Sequence, residues 1–108
     1  MKKYKVKITD EALVDMEHLY NHIQYILLAP ESAKRQYDRI ADAILELAVF
    51  PERFQKIGAK PWHSMGLRRM PVDRYSVFYV IDGDSVIVTD VLYSASDIES
   101  RLKGPVNR

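Results

Sequence analysis

The chain has 108 residues, 47% of them hydrophobic and 29% charged, with 16 basic residues against 15 acidic ones. That is enough chain for a single domain spanning residues 1–108 and burying roughly two thirds of its unfolded surface, and the composition is that of a globular protein. It contains no cysteine, which excludes a disulfide framework, thiolate metal ligation and a cysteine nucleophile.

The first element is a strand. Tyr4, Val6 and Ile8 alternate with Lys3, Lys5 and Lys7, the period-two pattern of a half-buried strand with lysines on its outer side. Thr9 then offers a helix N-cap, followed by Asp10 and Glu11 in the first turn. Leu13, Met16, Tyr20, Ile23 and Leu27 recur at helical spacing and predict one apolar stripe. Pro30 ends that helix or opens the next. From Glu31 onward, Ala33, Tyr37, Ile40, Ala41, Ile44, Leu47 and Ala48 line one face of a second helix, which Pro51 stops near Phe50. A short connection between two amphipathic helices makes an antiparallel hairpin whose stripes need a further layer to cover them.

Strands supply that layer. Tyr75–Ile81 and Val86–Tyr93 are rich in β-branched and aromatic residues and are joined by Asp82-Gly83-Asp84, a hairpin signal. Their almost unbroken apolar character predicts central strands covered on both faces. Leu67–Val72 pairs before them, confined to an edge or bulge by Pro71. Ser96-Asp97-Ile98-Glu99 reads as a capping box opening a short helix through Leu102, which Gly104-Pro105 stops. The fold class is α+β: an N-terminal strand and helical hairpin packed on a C-terminal antiparallel β-meander, with a short last helix.

Charge is uneven. Arg53 to Arg74 holds Arg53, Lys56, Lys60, Arg68, Arg69 and Arg74 against the single acid Asp73, a net +5 that leaves −4 for the rest of the chain. Such a window suggests a basic face that meets a polyanion. His63 and the only tryptophan, Trp62, lie inside it. No apolar run exceeds five residues and the lysine-rich N-terminus leads into no apolar core segment, so a soluble cytoplasmic protein with no membrane association is expected. His18 and His22 have the spacing of a zinc pair, but no third ligand accompanies them and no metal site or cofactor is expected.

Several segments together resemble the RelE/ParE superfamily of bacterial type II toxins. These are Ala48-Val49-Phe50-Pro51-Glu52-Arg53 closing the helical hairpin, Gly66-Leu67-Arg68-Arg69, Tyr75 to Gly83, Val91-Leu92-Tyr93, and Asp97 to Leu102. The resemblance covers nearly the whole chain and implies a toxin whose partner is a cognate antitoxin. It leaves two modes of action open. RelE- and YoeB-like toxins work on the ribosome and cleave mRNA, whereas ParE-like toxins inhibit DNA gyrase without known catalysis.

For metal-free RNA cleavage a base, an acid and cations around the phosphate are needed. Arg69 looks like the phosphate-binding arginine of the ribonuclease relatives. Arg68, its neighbour in a strand, points to the opposite face. Lys60, His63 and Tyr93 complete the candidate catalytic set with Arg69, while Lys56, Arg68, Arg74 and Trp62 are candidates for RNA binding. The ribonuclease relatives carry Arg, or a His-Tyr pair, at and just beyond the last strand. This chain has Ser94-Ala95-Ser96 there, which supplies neither charge nor a proton donor near neutral pH. The expected activity is ribosome-dependent mRNA cleavage, a metal-independent endoribonuclease reaction. The alternatives are gyrase inhibition or a degenerate toxin that mainly binds its antitoxin.

Overall fold

In β1 (Lys5–Ile8) the alternation turns Val6 toward the interior and leaves Lys5 and Lys7 in solvent. The computed structural model describes residues 2–105. Thr9 caps α1 (Asp10–Asn21) as its type predicts, its Oγ1 accepting from the Ala12 amide at 3.1 Å. The helix then widens into a π-turn over His22–Ile26. Leu28, at φ 53°, reverses the chain into α2 (Pro30–Glu46), where Pro30 takes the first turn.

The buried line of α1 differs from the expected stripe. Ala12, Met16, Leu19 and Ile23 are buried, while Leu13 and Leu27 are 47% and 59% exposed. The small side chain of Ala12, wholly buried, lets the helix lie close to the sheet, and that turns the larger Leu13 outward. On α2 the predicted face holds: Ala33, Ile40 and Ile44 are buried, with Leu47 just beyond. Tyr20 and Tyr37 meet edge to face across the hairpin, ring centroids 5.9 Å apart.

Four strands form one sheet in the order β1-β4-β3-β2, with β2 spanning Arg68–Val72, β3 Tyr75–Asp82 and β4 Ser85–Tyr93. The last three make the expected antiparallel meander, and β1 joins β4 in parallel, so the sheet as a whole is mixed. Pro71 does lie on the edge strand. Beside it the start of β2 pairs instead with the preceding loop, Ile57 N donating to Leu67 O and Arg69 N to Gln55 O. In β4, Thr89 has no opposite residue, because Phe78 pairs with Asp90 and Tyr79 with Val88. This bulge frees the Val91 amide, which donates to Asp15 Oδ2 of α1 at 2.9 Å.

Both faces of the central strands are covered. One carries Met70, Val77, Tyr79, Val86, Val88 and Val91 against the two helices. The other carries Leu67, Phe78, Val80 and Leu92 against Ile57 and Trp62 of the 54–67 loop and Leu102 of the C-terminal segment. The last helix, α3, is short (Ile98–Arg101) and starts after Asp97 with no side-chain cap. The capping box does not form, because the Ser96 hydroxyl donates to the Tyr93 carbonyl instead. Among the described residues no helix is long and apolar enough to cross a membrane.

Candidate functional site

Residues 54–67 of the basic window form a loop that turns Ile57, Trp62 and Leu67 inward and Lys56 and Lys60 outward. Its backbone closes on itself: His63 N donates to Ala59 O, Gly66 N to His63 O and Leu67 N to Trp62 O, at 2.9 to 3.1 Å. Gly66 sits at φ 78°, a conformation that other residues rarely take. Trp62 and Ile57 pack under the loop against the sheet, while Lys56, Lys60 and His63 stay exposed on top.

Period two separates the adjacent arginines as expected. Arg68 turns to the helix side, where its Nη1 donates to the carbonyls of Phe54 (2.6 Å) and Glu52 (3.2 Å). That guanidinium fastens the corner after α2. Arg69 faces the loop side, with Nε donating to Ser76 Oγ at 2.9 Å and the guanidinium 5.8 Å from the centre of the Phe78 ring. Ser76 is fully buried, and its hydroxyl shares a 2.7 Å hydrogen bond with Ser94. Ser94 thus belongs to the same small polar cluster as Arg69.

Tyr93 lies on the other face. It pairs with Tyr75 across the strands and packs edge-on against it at 5.7 Å. Burial and the neighbouring Tyr93 push the Tyr75 hydroxyl above its ordinary pKa. The structure therefore brings Arg69 together with Ser76 and Ser94, and separates it from Tyr93 by the thickness of the sheet. Lys60 and His63 stand over the same face as Arg69, and among the described residues no hydrogen bond joins either to Arg69, Ser76 or Ser94. Arg74 is exposed in the two-residue turn between β2 and β3. Its neighbour Asp73, at φ 55°, takes a bidentate pair from Arg39 (2.7 and 2.9 Å) and a bond from Gln36, which together hold its carboxyl below the usual range.

A polar network that sequence reasoning missed fixes this face. Asp90, fully buried, accepts from the Thr89 hydroxyl at 2.7 Å and from the backbone amides of Lys103 and Gly104, each at 2.9 Å. Lys103 Nζ lies 3.5 Å from Asp90 and 3.1 Å from Asp15, tying α1, β4 and the C-terminal segment together. Gly104 has φ 64°, and a Cβ there would come within 2.6 Å of the Trp62 ring. One buried carboxylate thus holds the tail, the tail backs Trp62, and Trp62 seats the loop that carries Lys60 and His63. The signal in the sequence was an acid inside a mostly apolar strand.

Neither of two surface depressions coincides with Arg69. One runs between α2 and β2 past Arg39, Glu46, Phe54 and Met70, and a hollow on the hairpin is lined by Leu13, Glu17, Tyr20 and Tyr37. Chemically, the face around Arg69 offers fixed positive charge and two hydroxyls, and no titrating side chain within hydrogen-bond reach of them among the described residues.

The model of the ParE toxin of the type II toxin–antitoxin system parDE matches residues 6–98. Among solved structures, the chromosomal ParDE system of P. aeruginosa is similar with a TM-score of 0.70 and 18% identity over 84% of this chain and 96% of that one. The RelBE2 toxin–antitoxin complex of Mycobacterium tuberculosis gives 0.62 and 20% over 89% and 97%. A mutant E. coli toxin RelE in the free state gives 0.62 and 16% over 93% and 94%. At these identities the likeness is one of fold, and it extends to both branches of the superfamily. No individual protein of curated function matches the sequence significantly. The family match spans most of the chain, which therefore belongs to the ParE toxin family of type II toxin–antitoxin systems.

Proposed function

We propose that this chain is a toxin held in check by a cognate antitoxin, and that it acts by binding a target protein, in the manner of a gyrase inhibitor, rather than by cutting RNA. The observation that carries this reading is the Arg69–Ser76–Ser94 chain. A cleavage site needs an acid and a base within hydrogen-bond reach of the reacting atoms. Here the guanidinium is bonded to the Ser76 hydroxyl, which Ser94 bonds in turn, a pair of alcohols that supplies neither acid nor base near neutral pH, and Tyr93 stands on the opposite face of the sheet. This reverses the preference that sequence alone supports. The family match and the solved toxin–antitoxin complexes favour an antitoxin partner.

Ribosome-dependent mRNA cleavage stands as the second reading. It is favoured by Lys56, Lys60, His63 and Trp62 on the loop that covers the Arg69 face. The two part in one pair of assays with purified toxin: supercoiling by DNA gyrase, and cleavage of mRNA on translating ribosomes. We expect supercoiling to be inhibited at toxin concentrations that leave mRNA intact. Cut mRNA with unaffected supercoiling, and a loss of cutting beyond tenfold in Arg69→Ala, would replace the first reading with the second.

A further inference from the structure

Phe50 combines two unfavourable properties. Its backbone is left-handed, at φ 49° and ψ 57°, which crowds any side chain that has a Cβ. Its ring is 62% exposed, so the residue does not repay that strain by burial. A glycine or asparagine would turn the chain here with less strain.

The corner that holds Phe50 is nevertheless fastened from several sides. Arg53 Nη1 donates to the carbonyls of Val49 (2.6 Å) and Phe50 (3.0 Å). The Tyr79 hydroxyl, from β3, donates to Pro51 O at 2.6 Å. Arg68, from β2, donates to the carbonyls of Glu52 and Phe54. Ahead of β1, Lys3 forms a backbone bridge with Val49, and the Tyr4 hydroxyl donates to the Glu52 carboxylate at 2.8 Å. Strain that the surroundings over-determine is characteristic of sites with a task. What this corner achieves is one aromatic ring held outward on a backbone that cannot relax. That is the geometry of a pre-organised binding anchor, for which the ordering cost is met before the partner arrives.

We propose that Phe50 is the anchor by which this toxin seats itself in an apolar pocket on the protein that it inhibits. The proposal rests on the reading that the chain acts by binding. The rim around the ring points to a protein and not a nucleic acid. Charges of both signs stand around this corner, with Glu46 and Glu52 among Lys3, Arg53 and Arg68, so a phosphate backbone would meet carboxylates as well as cations there. The rim also separates this anchor from a surface suited to a wrapping inhibitor. The broad exposed apolar run Tyr25, Ile26, Leu27 and Leu28 lies at the far end of α2, about 25 Å away at 1.5 Å per residue. Leu28 shares the positive φ, but it stands within an extended patch, whereas Phe50 is a single rigid knob that fits one pocket.

The test compares full-length wild-type toxin, Phe50→Asn and Phe50→Trp for growth arrest at matched intracellular levels, with circular dichroism melting of each purified protein. Asparagine tolerates the left-handed backbone and removes the ring. It should melt at or above the wild-type temperature and need at least tenfold more toxin for the same arrest, while Phe50→Trp keeps its potency. Full potency of Phe50→Asn overturns the proposal. So does a loss of potency that tracks a loss of folded protein, which would assign the ring to the fold, or a matching loss of RNA binding, which would assign it to base stacking. Growth arrest does not depend on which protein is inhibited. Wild-type toxin that leaves gyrase untouched therefore removes the gyrase reading alone, and the Phe50 comparison still decides the anchor.

Discussion

The two faces of the sheet are built by different physics. The helix face is closed by two amphipathic helices whose buried residues are nearly all hydrocarbon, from Ala12 and Met16 through Ile40 and Ile44 to Val77, Val86 and Val88. The loop face has a smaller apolar cluster, Leu67, Phe78, Val80, Leu92 and Leu102, and its cover is a loop and a tail held by hydrogen bonds to Asp90. Area burial accounts for the first, at about 1.5–3 kcal/mol per large side chain. The second depends on a few directional bonds, each worth about 1 kcal/mol when made and more when one partner is left buried alone. The helix face should thus define global stability, and the loop face should be able to open on its own.

Truncation on the helix face is the largest effect expected. Ile44→Ala, at a site 1% exposed, leaves a cavity between α2 and the sheet and should cost about 2–5 kcal/mol. Urea unfolding followed by circular dichroism should show one transition, lowered in midpoint. If instead the helical signal were lost in two separate steps, the helix face would not be the cooperative unit described above.

Asp90→Ala should do less globally and more locally. It strips the amides of Lys103 and Gly104 of their acceptor and leaves Lys103 with Asp15 alone. Leaving such groups without a partner costs about 2–3 kcal/mol. We expect hydrogen exchange at Lys103 and Gly104 to accelerate, and Trp62 emission to shift to the red, at denaturant concentrations that leave the helices protected. Simultaneous loss of all protection would merge the two faces into one unit.

This contrast also explains what the sequence made legible. Helix hairpin, meander and the opposite faces of Arg68 and Arg69 follow from periods of 3.6 and 2.0, which are local. Ala12 displacing Leu13 from the buried line is not local, since it depends on how closely α1 approaches β4. The Asp90 network joins residues 13 and 14 apart through backbone amides, and no side-chain pattern records a backbone donor. Tyr93 joins Arg69 in the candidate set because it stands one place before the position where the ribonuclease relatives carry Arg or a His-Tyr pair. The pairing register of β3 with β4, including the bulge at Thr89, sets its actual face, and the register is a property of the assembled sheet.

The smallest effect concerns a buried side chain that links the helix face to the corner bearing Phe50. Tyr79 is buried, and its hydroxyl donates to Pro51 O at 2.6 Å. Burial pushes that hydroxyl up to about 12, and the cations of Arg68 and Arg53 only partly oppose the shift. In the unfolded chain a tyrosine titrates near about 10. Because the folded value is the higher one, this contribution to stability is fully present below pH about 10, and it falls away as the pH rises from there through about 12. Tyr79→Phe removes both the hydrogen bond and the titration. It should lower stability near neutral pH by about 1 kcal/mol and flatten the alkaline loss relative to wild type, as read by urea midpoints from pH 8 to 12. An unchanged alkaline slope would mean that another group governs it, and that the hydroxyl contributes only its bond to the corner.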